Sequence, residues 1–119
     1  THAIVELGAN DALRGVPPEV TRANLDAIVS RLRAEGVAVL IAGMYAPPNW
    51  GADYAAEFRK IFPDLAAKHD VALYPFFLDG VAADPALNQR DGIHPNEKGV
   101  AAIVDRILPD VIRLLADKE

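Results

Sequence analysis

Short apolar runs alternate with longer segments of helical period, and that alternation limits the chain to an α/β fold built on a parallel sheet. Ala3–Leu7, Val37–Ala42 and Val71–Phe77 are apolar runs too short for helices, and they predict three buried strands. Between the first two, Val20, Leu25, Ile28, Val29 and Leu32 predict a helix from Val20 to Glu35 with one buried stripe, stopped by Gly36. Before the third, Tyr54, Phe58, Ile61, Phe62 and Leu65 predict another helix, which Pro63 should kink or split. Leu78 to Arg90 contains Pro85 and predicts little regular structure. A last helix should start after Asn96, a good N-cap, and run to about Ala116 with a bend at Pro109. Its apolar positions Val100, Ile103, Val104, Ile107, Leu108, Val111 and Leu115 should share one side. Strands separated by helices pair in parallel through crossovers. Such sheets gather ligands at the C-terminal ends of their strands.

The chain has 119 residues, enough for one small domain. Three strands are few for a parallel sheet covered on both faces, and Thr1 opens almost directly on a strand pattern. We therefore expect residues 1–119 to be the C-terminal part of a single longer domain. The net charge of −5, with no Lys/Arg cluster, argues against a general nucleic-acid binder. The absence of cysteine excludes disulfides, thiolate metal sites and cysteine nucleophiles. No apolar run approaches the roughly 20 residues of a spanning helix. His2, His69 and His94 lack metal-ligand spacing, so a zinc site is not expected.

Chemistry concentrates in two loops. In Asp91-Gly92-Ile93-His94-Pro95-Asn96, a carboxylate three residues before a histidine can accept the Nδ1 proton and leave Nε2 as a base. From spacing alone, a solvated turn with a helix cap is an equally good reading. In Gly8-Ala9-Asn10-Asp11, the Asn10 amide can donate to a developing oxyanion, although taken alone an Asx-type turn is the better reading. Asp11 is expected to cap or fix this loop. A nucleophile is harder to find. Ser30, the sole serine, lies mid-helix with no glycine elbow. Thr1 is a formal N-terminal nucleophile, but that chemistry usually sits on antiparallel sheets.

Taken together, the two loops resemble signature blocks of the SGNH (GDSL-like) hydrolases. Gly8-Ala9-Asn10-Asp11 is similar to the G-x-N-D block and Asp91 to His94 to the D-x-x-H block, about 80 residues apart as in the family. Val5-Glu6-Leu7-Gly8, Leu13-Arg14-Gly15, Pro47-Pro48-Asn49-Trp50-Gly51 and Tyr74-Pro75-Phe76-Phe77 look like the acyl-CoA thioesterase I / lysophospholipase L1 / arylesterase branch. The resemblance implies a flavodoxin-like three-layer α/β/α sandwich, of which this chain would supply about three strands and three to four helices. It implies a cofactor-free serine hydrolase of carboxylic esters or thioesters, periplasmic or secreted. Asp91 and His94 would be the acid and base, and Asn10 an oxyanion donor. Gly8, Leu13, Arg14, Met44 and Tyr45 would bind substrate, with Ala12 to Val16 a mobile loop lining the acyl pocket. The family's serine block and a second oxyanion block do not occur here. The resemblance thus implies an N-terminal segment of the same protein as partner, expected as a separate chain, without which this chain would be inactive. A non-catalytic α/β binding module is the competing expectation.

Overall fold

A computed structural model describes residues 1–116. Strand β1 (His2–Val5) leads into a short helix α1 (Ala9–Arg14), then α2 (Pro18–Ala34), β2 (Ala38–Ala42), a 3-10 turn (Pro48–Trp50), α3 (Ala52–His69), β3 (Ala72–Tyr74) and α4 (Glu97–Ala116). The strands form one parallel sheet in the order β1-β2-β3, with Val5 opposite Ile41 and Ala42 opposite Tyr74.

The central strand shows why the molecule has layers. Val39, Leu40, Ile41 and Ala42 are all at most 2% exposed, so both faces of β2 need a cover. Successive side chains point to opposite faces. Val39 and Ile41 pack with Leu25 and Val29 of α2 and Phe58 and Phe62 of α3. Leu40 packs on the other side with Tyr74 and with Ile107 and Leu114 of α4. The predicted α/β sandwich with a parallel sheet is thus the observed one.

Several local expectations are corrected. The segment after β1 is helical rather than a loop, since Asn10 and Asp11 lie in α1. The third strand stops at Tyr74 instead of Phe77. Pro75 has no N–H to continue a ladder, and its carbonyl instead crowds Gly43, where an added Cβ would lie 2.2 Å from the Pro75 oxygen. Pro63 does not split α3. Around it Phe58, Ile61, Phe62 and Leu65 are all at most 3% exposed, and this packing holds the helix together across one missing hydrogen bond. The buried stripes are also narrower than predicted. In α2 they comprise Thr21, Leu25 and Val29, while Val20 and Ile28 are exposed. In α4 they comprise Gly99, Ile103, Ile107 and Leu114, while Val100, Val104, Leu108, Ile112 and Leu115 are exposed. A helix lying on so small a sheet meets it along one line only. No described helix is long and apolar enough to cross a membrane.

The Gly43 contact gives a direct check. Gly43 donates to the Tyr74 carbonyl at 2.8 Å and accepts from the Phe77 N–H at 2.9 Å, so neither backbone can retreat without breaking the join between β2 and β3. Gly43→Ala should destabilise the protein by about 1–3 kcal/mol, read as a lower urea midpoint at unchanged slope.

Candidate active site

The direction of α4 decides where its leading turn emerges. Asp110, Arg113 and Leu114 border a hollow shared with Ala38, Val71 and Ala72, at the starts of β2 and β3. The helix therefore runs antiparallel to the strands. Its N-terminus, and the Asp91–Asn96 turn before it, emerge at the strands' C-terminal edge. Asn10, reached directly from the end of β1, emerges at the same edge, exposed on α1.

The turn is folded on itself by side-chain amides. Buried Asn88 donates to the carbonyls of Val81 (2.8 Å) and Asp84 (2.9 Å). Asn96 donates to Ala86 (3.0 Å), and its Oδ1 caps α4 by accepting the Gly99 N–H at 3.0 Å, as its N-cap role predicts. Gln89 N–H donates to the His94 carbonyl at 2.7 Å, and Asn96 N–H to that of Leu87 at 2.9 Å. Gly92 takes the left-handed conformation (φ 75°) that reverses the chain between them.

Within this frame Asp91 and His94 meet. Asp91 Oδ1 accepts the backbone N–H groups of Ile93 and His94, each at 3.0 Å, and Oδ2 lies 2.6 Å from His94 Nδ1. The bond from the imidazole, then those from the two amides, draws the Asp91 carboxyl down to about 2 although it stays solvated. An ionised carboxylate only accepts, so Nδ1 carries the hydrogen. The lone pair of a neutral ring is then on Nε2, which has no protein partner among the described residues. This is a base of fixed tautomer.

The other expected residues fall in three environments. Gly8 (φ 115°) is half-buried against the rings of Phe62 and Phe58. Leu13 and Arg14 are exposed on α1. Met44 is part of the core, whereas Tyr45 is partly exposed, stacked on Phe76 at 4.1 Å with the Arg59 guanidinium 4.2 Å from its ring centre. Asp11 fixes its segment, accepting from the buried Thr21 hydroxyl at 2.8 Å. Sequence reasoning missed Trp50 and Tyr54, which bond to the backbone of this same segment. A fourfold spacing of aromatics at 50, 54, 58 and 62 was the available signal. Ser30 lies on the exposed side of α2. His69, the last residue of α3, is tied to Asp26 of α2 at 2.6 Å. No described group of three or more His, Asp or Glu residues gathers as a metal site would.

Residues 1–102 match the GDSL-like lipase/acylhydrolase family. The chain belongs to that family. It is 38% identical over 112 residues to the esterase TesA of Pseudomonas aeruginosa, covering 94% of this chain and 56% of TesA. It is 40% identical over 102 residues to the thioesterase 1/protease 1/lysophospholipase L1 of Escherichia coli, covering 86% of this chain and 49% of that protein. Among solved structures, the psychrotrophic esterase EstA of a Pseudoalteromonas species, inhibited by monoethylphosphonate, superposes with a TM-score of 0.91 at 33% identity, covering 98% of this chain and 64% of EstA. The chain spans about half the length of the curated relatives it matches.

The depressed Asp91 carboxyl has a definite pH signature. Its folded value lies below its ordinary one, so its stabilisation of the turn is complete above about pH 4 and is lost as pH falls through about 2. The Asp91 carboxyl carbon resonance should titrate with its midpoint near 2; an ordinary midpoint near 3.8 would show that the hydrogen bonds to it are not formed in solution.

Proposed function

We propose that this chain carries the base, its orienting acid and one oxyanion donor of a serine hydrolase acting on carboxylic esters or thioesters, with the serine on a segment outside residues 1–119. The observation that carries this reading is the Asp91–His94 pair: a carboxylate held by two backbone N–H groups, 2.6 Å from the ring nitrogen that must keep its proton.

In this reading His94 Nε2 takes the proton of the serine as its Oγ bonds to the acyl carbon. Asn10 donates to the oxygen that becomes negative. The tetrahedral intermediate then collapses, the C–O or C–S bond breaks, and His94 returns the proton to the departing alkoxide or thiolate. Water repeats the sequence on the acyl-enzyme and frees the acid. Asp91 stays ionised throughout and stabilises the imidazolium. Leu13, Arg14 and Tyr45 lie on exposed surface at or near that edge and are read as substrate contacts, with Gly8 and Met44 supporting them from beneath.

Two features support a partner segment. β1 is an edge strand with half-exposed Ile4, and five aliphatic side chains of α4 lie uncovered on the same side of the molecule's central sheet as Leu40. A strand added beside β1, with its helix laid next to α4, would cover both. The phosphonate-inhibited EstA structure supports the covalent chemistry by analogy. Periplasmic or secreted placement rests on the family resemblance, and a cysteine-free chain is compatible with it.

In the full-length protein a fluorophosphonate probe should label the serine-bearing segment. Asn10→Ala should lower p-nitrophenyl ester kcat by about 100–1000-fold. Asp91→Asn, which presents an amide to Nδ1 and reverses the tautomer, should lower it by about 10,000-fold. Near-normal turnover by Asn10→Ala or His94→Ala, or no labelling in any preparation, overturns the assignment.

A further inference from the structure

Helix α1 has six residues, too few to be stable by its own hydrogen bonds. Its N-cap Gly8 supplies no side-chain cap. Other elements must hold it: Thr21 of α2 bonds to Asp11, and two side chains from more distant positions hold the far end. Trp50 Nε1 donates to the Ala12 carbonyl at 2.7 Å, and the Tyr54 hydroxyl donates to the Val16 carbonyl at 2.6 Å. The indole also lies flat against Gly15, so close that a Cβ there would sit 3.0 Å from its ring carbons. The 8–16 segment therefore rests on Trp50 and Tyr54 at one end and on Phe58 and Phe62, beneath Gly8, at the other.

These four rings form a continuous series. Trp50 and Tyr54 are 6.4 Å apart, Tyr54 and Phe58 6.3 Å, and Phe58 and Phe62 5.5 Å. Phe58 and Phe62 are core residues, but Trp50 is 44% exposed. Burial alone gives little reason for an indole at that point, whereas its bond to Ala12, two residues from Asn10, does. Burial and the neighbouring Asp11 carboxylate both raise the Tyr54 hydroxyl, so it stays a donor at neutral pH.

We infer that Trp50 and Tyr54 are positioning residues for the reaction: they clamp the 8–16 segment, within α1 at Ala12 and just beyond it at Val16, and thereby fix where the Asn10 amide points. The inference rests on the proposed role of Asn10 as oxyanion donor. An oxyanion donor works only if it is already aimed where charge develops. A loosened α1 would weaken ground-state contacts through Leu13 and Arg14 and, in addition, stabilise the transition state less through Asn10.

The test is a set of double-mutant cycles in the full-length protein, with Trp50→Phe and Tyr54→Phe each removing one hydrogen bond while keeping a ring. Each should lower p-nitrophenyl ester kcat about five- to tenfold, in line with one lost hydrogen bond, while any rise in KM, which acts through Leu13 and Arg14, should be the same with or without Asn10. In an Asn10→Ala background neither should lower kcat further, because the group they aim is gone. A thermal melt of each variant separates loss of fold from loss of aim. Equal losses in both backgrounds, or unchanged kcat in folded variants, overturn the clamp while leaving Asn10 in its role. Near-normal kcat for Asn10→Ala by itself overturns the role of Asn10, and the clamp with it.

Discussion

A parallel strand cannot be joined to its neighbour by a tight turn, and the rest of this structure depends on that constraint. Each strand must be left at one edge of the sheet and the next entered at the opposite edge, so a helix has to carry the chain back. With β2 buried on both faces, α2 and α3 cover one side and α4 the other. The same constraint sends every strand exit to a single edge. Asn10 follows β1 there, Met44 and Tyr45 follow β2, and the Asp91–His94 turn precedes the helix that returns from it. Residues far apart in sequence are thereby brought to one edge of the sheet by topology.

At that edge the chemistry is set by hydrogen bonding more than by burial. Asp91 and His94 have solvated side chains, 43% and 67% exposed. A carboxylate there gains its low proton affinity from three donors, the imidazole and two backbone amides. These bonds also hold the ring orientation, because the amides anchor one carboxylate oxygen while the other faces Nδ1. The turn can keep this arrangement in water because Asn88 and Asn96 satisfy the carbonyls around it. The side-chain amides do the work that a regular strand or helix would otherwise do.

The sheet and its crossover helices were legible because period and length are local properties that burial then enforces. The Asp91–His94 pair was legible because three residues of separation bring both groups within one turn. Helix α1 was not. Gly8-Ala9-Asn10-Asp11 carries the residues of a turn, and the side chains that hold the segment in place are Thr21, Trp50 and Tyr54, the last two 38 residues from the carbonyls they bond. The same limit explains Pro63: its local effect is to break a helix, and packing around Phe58, Ile61, Phe62 and Leu65 overrides it. In α4 an apolar period marked a stripe without saying how much of it the sheet would meet, and Val104 and Leu108 remain outside while Ile103 and Ile107 go in.

That helix has a further consequence for how the chain behaves in bulk solution. Val100, Val104, Leu108, Ile112 and Leu115 form an almost unbroken adhesive strip along its outer side. Water beside such a strip is restricted in its orientations, and two molecules that press their strips together release it. A concentrated preparation of these residues alone would accordingly be governed by colloidal attraction. The modest negative charge of −5 would be its main opposition, and added salt would tip the balance toward clustering.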